Sequence, residues 1–150
     1  MRRPRIYADT SVIGGCLDDE FAKDSLALLG MAQAGEILLL LSDVLAFELD
    51  TAPADVQRVL ADLPEGAFEY VVSSEESAHL RDAYLRARVV GPRHAIDAHH
   101  IALATVFRAN LLVSWNFKHI VHWDRIRLYN AVNLREGYSP IEIRSPKEVV

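Results

Sequence analysis

The sequence predicts an α/β chain built on a parallel sheet that is covered on both faces. Two observations carry this. Strand-like segments alternate with helix-like ones along the chain, the pattern of βαβ units. The strand-like segments are also unbroken apolar runs, such as Ile37–Leu41, whereas a half-exposed strand alternates apolar and polar residues.

Taken in order, Arg5–Ala8 reads as a short strand ending at Asp9. A helix is expected from about Glu20 to Ala34, with Asp18, Asp19 and Glu20 at its positive end and Gly35 at its stop. Ile37–Leu41 is the second strand, after which Ser42 or Asp43 caps a short helix holding Val44, Leu45, Phe47, Glu48 and Leu49. Pro53 suits the first turn of a helix reaching Leu63. Phe68–Val72 is a third strand, and Ser74 with Ser77 opens a helix that reaches about Ala87. Gly91-Pro92 breaks the chain before a helix from about His94 to Arg108, with Asn110 as its stop. Leu111–Ser114 is a fourth strand, and a helix near Trp123–Leu134 and a strand at Ile141–Ile143 follow.

Composition limits the function classes. The 150 residues are 51% hydrophobic and 25% charged; this argues for one domain over residues 1–150 and excludes disordered, collagen and coiled-coil classes. Cys16 is the single cysteine, so no internal disulfide or cysteine-based zinc site is available. The basic start Met1–Arg5 meets Asp9 with no secretory apolar region after it, and no run approaches the ~20 residues of a membrane span. A cytoplasmic protein with no membrane partner is the expectation. Net charge is −5, and the acids concentrate before residue 80 while the bases concentrate after it. This asymmetry fits an acidic pocket beside a basic surface, and equally the ordinary drift of solvated faces.

In an open parallel sheet, sites form beyond the carboxyl ends of the strands. Asp9 ends the first strand, Glu48 lies in the helix after the second, Asp97 opens the helix before the fourth, and Asn116 follows the fourth. Three carboxylates in one cleft repel, a pair at 4 Å by about 4 kcal/mol at an effective dielectric of ~20. A compensating cation is expected, and oxygen ligands without thiolate point to Mg²⁺ or Mn²⁺. Such an ion activates water for displacement at phosphorus. The plainer reading makes Asp9 a turn former and Asp97 a helix-start acid.

The segments Ile6–Ile13, Ser42–Leu49, Asp97–Ala104 and Leu112–His119 together resemble the motifs of the PIN-domain family in their usual order. In particular they resemble its VapC-like members, many of them toxins of type II toxin–antitoxin pairs. The resemblance implies a three-layer α/β/α fold with a mostly parallel sheet, and a Mg²⁺- or Mn²⁺-dependent endoribonuclease. It places the family's acids on Asp9, Glu48 and Asp97 as catalytic and metal-holding residues. The fourth acidic position falls on Asn116, a departure: an amide oxygen ligates without adding charge. Thr10 and Ser11 occupy the hydroxyl position after the first acid; they, Ser114 and Lys118 are candidate substrate contacts, and the hydroxyls equally fit bonds to a ligand carboxylate or simple turn caps. RNA, an antitoxin protein and a second copy of the chain are the partners implied.

Competing chemistries find little support. His94, His99, His100, His119 and His122 lack a zinc pattern, and no Walker loop, Gly-x-Ser-x-Gly elbow or aspartyl-phosphate pair is present. His100 reads as a packed helix residue or as a group at the pocket edge. Arg81, Arg86, Arg88, Arg93, Arg125 and Arg127 fit RNA phosphates or solvated faces, and Trp115 and Phe117 fit base stacking or core. The alternative to the nuclease is a weakly catalytic PIN-like module that binds RNA or a protein partner, with Asn116 as its sign.

Overall fold

The computed structural model describes residues 2–150; of the basic start, Met1 lies outside the described residues. The strands β1 (Arg5–Ala8), β2 (Leu38–Ser42), β3 (Phe68–Val71), β4 (Leu111–Val113) and β5 (Ile143–Arg144) form one sheet in the order β3-β2-β1-β4-β5. All its pairings are parallel, so the sheet is fully parallel where the sequence implied mostly parallel.

Strand alternation divides the core in two. Tyr7, Leu40 and Leu112 stand in one cross-strand row and face α5 (Glu75–Arg86), α6 (Ala95–Val106) and α7 (Trp123–Arg135). Ile6, Ala8, Leu39, Leu41 and Val113 face the other layer, with α1 (Thr10–Gly15), α2 (Ala22–Gln33), α3 (Asp43–Leu49) and α4 (Ala54–Ala61). Burial on both faces is what the unbroken apolar runs require.

Local chemistry sets the boundaries. Ser42 caps α3 by accepting from the Leu45 N–H, Ser74 and Ser77 form a capping box at α5, and Gly35 takes a left-handed φ of 79° to end α2. The turn after α6 is made at Arg108, with φ 56°, and not at Asn110, whose side chain instead accepts from the Arg5 N–H. The last strand is not Ile141–Ile143. Asn130 on α7 bonds both the N–H and the carbonyl of Ile141, withdrawing it from the ladder, and β5 begins at Ile143. Two helices were not foreseen, α1 and the terminal α8 (Pro146–Val149). The Gly14-Gly15 pair of α1 disfavours a helix intrinsically. Packing requires the second glycine, because a Cβ there would lie 2.7 Å from Ser25 Oγ and 2.8 Å from Trp115 Nε1.

Candidate functional site

The chain runs outward from β1 to β2 and β3, then returns to the other side of β1 for β4 and β5. This reversal opens a cleft beyond the carboxyl ends of β1 and β4. Asp9 and Ser114 are the first residues past those two strands, and both are buried.

Asp9 is 4% exposed. Its Oδ1 accepts from Ser11 Oγ at 2.6 Å and its Oδ2 from Ser114 Oγ at 2.6 Å. Each serine in turn accepts a backbone N–H, Ser11 from Trp115 at 2.8 Å and Ser114 from Asn116 at 2.9 Å. The hydroxyl protons are thereby directed at the carboxylate. Burial pushes the Asp9 carboxyl above its ordinary range and Asp97 adds to the rise, while His100 and the two hydroxyls oppose it.

Glu48 is half-buried on α3, the helix that the Ser42 cap starts six residues earlier. Its Oε1 accepts from Thr10 Oγ1 at 2.5 Å and pairs with His100 Nε2 at 2.6 Å. Burial acts to raise its carboxyl, but the bonds from His100 and Thr10 prevail and hold it below its ordinary range. His100 is 2% exposed, and its Nδ1 meets Tyr7 Oη at 2.6 Å.

Asp97 comes from the first turn of α6. Its Oδ2 accepts from Asn116 Nδ2 at 3.3 Å and lies 3.6 Å from His94 Nδ1. Burial raises its carboxyl, Glu48 adds to this, and the neighbouring histidines His100, His94 and His119 oppose it. His94 and His119 stack with ring centres 3.7 Å apart, and burial together with His94 lowers His119. Asn116 turns its Oδ1 to the His119 N–H at 2.9 Å, so it presents its amide nitrogen, not its oxygen, to Asp97.

The structure therefore brings Asp9, Glu48, Asp97 and Asn116 to one edge, where Asp97 acts on the charge of Asp9 and Glu48 on that of Asp97. Thr10, Ser11 and Ser114 are there too, but their hydroxyls serve the carboxylates. Lys118 is exposed on the turn after β4, outside these contacts. Among the described residues, no three His, Cys, Asp or Glu side chains stand close enough together to hold a metal ion. The expected cluster is thus spread: Asp9 and Glu48 are drawn to hydroxyl and imidazole donors, and like charges separate.

The donor set nevertheless suits a hard divalent cation. All three acids offer oxygen, burial raises two of them, and among the described residues none pairs with lysine or arginine. Sequence reading passed over Tyr7 and Ser42, which resemble ordinary core and cap positions. For His100 the available signal was its place one turn after Asp97.

The sequence matches no family model and no curated protein. In three dimensions the chain is similar to a chain of VapBC2 from Rickettsia felis, whose crystal structure was solved bound to a DNA fragment from their promoter. The TM-score is 0.59 at 13% identity, over 94% of this chain and 98% of that one. The likeness is one of fold: three layers around a parallel sheet, the PIN-like architecture that the sequence motifs implied. No helix among the described residues is long and apolar enough to cross a membrane.

Proposed function

We propose that this chain is a metal-dependent endoribonuclease, the toxin of a type II toxin–antitoxin pair, acting in the cytoplasm as one PIN-like domain. The observation that carries the reading is Asp9: a buried carboxylate at the switch point of the sheet, with Asp97 close enough to raise it and, among the described residues, no lysine or arginine paired with Asp9, Glu48 or Asp97. Burial of unpaired charge is costly, and sites that bear this cost are commonly functional. The fold likeness to a chain of VapBC2 supports the toxin reading and a protein antitoxin as partner.

Asp9, Glu48 and Asp97 would hold Mg²⁺ or Mn²⁺. Bound there, the ion would supply water activation and neutralise charge developing on an RNA phosphate. The chain's own groups prepare the ligands. Ser11 and Ser114 fix Asp9 and favour its ionised form, Thr10 and His100 do the same for Glu48, and Asn116 orients Asp97 through its amide N–H. Lys118 and the arginines of the second half would meet the RNA backbone.

One observation favours a weaker enzyme. Asn116 brings no charge and commits its oxygen to the His119 N–H, which suits a module that binds RNA or a partner and cleaves it slowly.

The test is incubation of purified protein and its Asp97→Asn variant with labelled structured and unstructured RNA, with Mg²⁺, Mn²⁺ or chelator. Cleavage that needs metal and is lost in the variant is expected. Equal inertness of both proteins with every metal would leave the binding-module reading in its place.

A further inference from the structure

Beneath Glu48 lies a chain of hydrogen bonds whose direction can be worked out. Ser42 Oγ accepts the Leu45 N–H at 3.1 Å and meets Tyr7 Oη at 2.8 Å. Tyr7 Oη meets His100 Nδ1 at 2.6 Å, and His100 Nε2 meets Glu48 Oε1 at 2.6 Å. Ser42, Tyr7 and His100 are all buried, so each proton needs a partner within the protein.

Both ends of this chain are fixed. Leu45 offers a backbone N–H, which can only donate. The Glu48 carboxylate can only accept. Running inward from Leu45, Ser42 accepts and passes its own proton to Tyr7 Oη, and Tyr7 passes its proton to His100 Nδ1. The imidazole then carries its proton on Nε2 and donates it to Glu48. Every proton along this chain then has an acceptor. In the reverse order Nδ1–H donates to Tyr7 and Tyr7 donates to Ser42. The Ser42 hydroxyl proton is then left buried with no acceptor among the described residues, and a neutral ring has no proton for Glu48.

We propose that His100 is a positioning residue of the acidic site: Tyr7 holds it as the Nε2–H tautomer, and it pins Glu48 Oε1 so that the other carboxylate oxygen is the one presented to a ligand. The importance of Glu48 as a ligand rests on the nuclease reading above, whereas the tautomer does not. The device joins three elements that reach the site separately, β1 through Tyr7, α3 through Glu48 and α6 through His100. Because His100 follows Asp97 by three residues, one face of α6 supplies one acid directly and orients another. Thr10 Oγ1 bonds the same Glu48 oxygen, so both donors restrain a single atom. This is the arrangement by which an outer group fixes a metal ligand's orientation.

Two measurements on the intact protein test this. Long-range ¹H–¹⁵N spectra of the metal-free protein should show His100 protonated at Nε2 and not at Nδ1, and Tyr7→Phe should shift it toward a mixture. Protonation at Nδ1, protonation at both nitrogens, or a spectrum unchanged by Tyr7→Phe overturns the proposal. Calorimetric Mn²⁺ binding and RNA cleavage are then compared for His100→Leu and His100→Gln. Gln carries an acceptor and an N–H donor at a spacing like that of the imidazole nitrogens. Leu should weaken Mn²⁺ binding by about 10- to 100-fold, and Gln should restore most of it at a matched thermal midpoint. Equal binding by wild type and Leu, or loss with both substitutions, reduces His100 to packing and overturns the proposal. If His100→Leu does not fold, the spectra decide alone. Wild type that neither binds Mn²⁺ nor cleaves RNA defeats the nuclease reading, and the tautomer still stands or falls on the spectra.

Discussion

Ser114→Ala isolates the support of the buried carboxylate. Ser114 is fully buried, donates to Asp9 Oδ2 and accepts the Asn116 N–H. Alanine removes both bonds and leaves no room-filling replacement. Losing a hydrogen bond to a charged group costs about 1.5–3 kcal/mol, and stranding a partly buried N–H adds roughly 1 kcal/mol. The expected loss is about 2.5–4 kcal/mol, or roughly 5–15 °C in Tm for a chain of this size. Its pH dependence distinguishes a charged partner from simple packing. The hydroxyl favours ionised Asp9, so removing it raises that carboxyl further. The stabilisation it provides is therefore present while Asp9 is ionised and fades as pH falls through the titration of Asp9. Thermal unfolding in chelator, at neutral pH and at successively lower pH, should show a gap between wild type and variant that narrows toward acid. Equal midpoints at neutral pH, or a gap of constant size throughout, would refute the claim that Asp9 is an ionised group held by these hydroxyls.

Asp97→Asn should behave in the opposite sense. Because burial and Glu48 raise the Asp97 carboxyl, ionisation costs stability: the contribution is present below its ordinary range and is lost as pH rises through its raised value. The metal-free variant should therefore melt above wild type near neutral pH and match it in acid, as read by calorimetry in chelator. Asn116→Asp replaces the amide donor 3.3 Å from Asp97 with a second charge; it should lower the metal-free Tm and enlarge the Tm gain on adding Mn²⁺. A gain no larger than that of wild type would count against a cation at this edge. Gly15→Ala drives a methyl against Ser25 Oγ and Trp115 Nε1, and the overpacking should cost about 1–3 kcal/mol in denaturant unfolding.

The centre of the sheet was legible because its strands are buried on both faces, so Ile37–Leu41 and Leu111–Val113 announce themselves as apolar runs. Asp9 stood out as the residue after a strand and Asp97 as the acid in the first turn of a helix, whereas Glu48, late in α3, was marked only by lying in the helix after the second strand and by the family resemblance. Most of what escaped depends on distant partners. The helix Thr10–Gly15 forms despite two glycines because Trp115 and Ser25 occupy the space beside Gly15. Ile141 leaves the sheet because Asn130, eleven residues earlier, takes both of its backbone groups. Thr10, Ser11 and Ser114 were open to a carboxylate, a phosphate or a turn cap, and their protons go to the carboxylates Glu48 and Asp9. His100 satisfies both readings offered for it, packed within the core and bonded to an acid at the pocket edge. Asn116 turns its oxygen to the N–H of His119 three residues on, a local cap that was passed over in favour of a ligand role.

The central claim is that Asp9, Glu48 and Asp97 act together on one divalent cation. Calorimetric titration of Mn²⁺ into wild type, Asp9→Asn, Glu48→Gln and Asp97→Asn tests it most directly. The account predicts saturable binding by wild type and weakening by at least about tenfold, more than 1.4 kcal/mol, in every variant. Binding that is absent in wild type, or undiminished in any one folded variant, would contradict it.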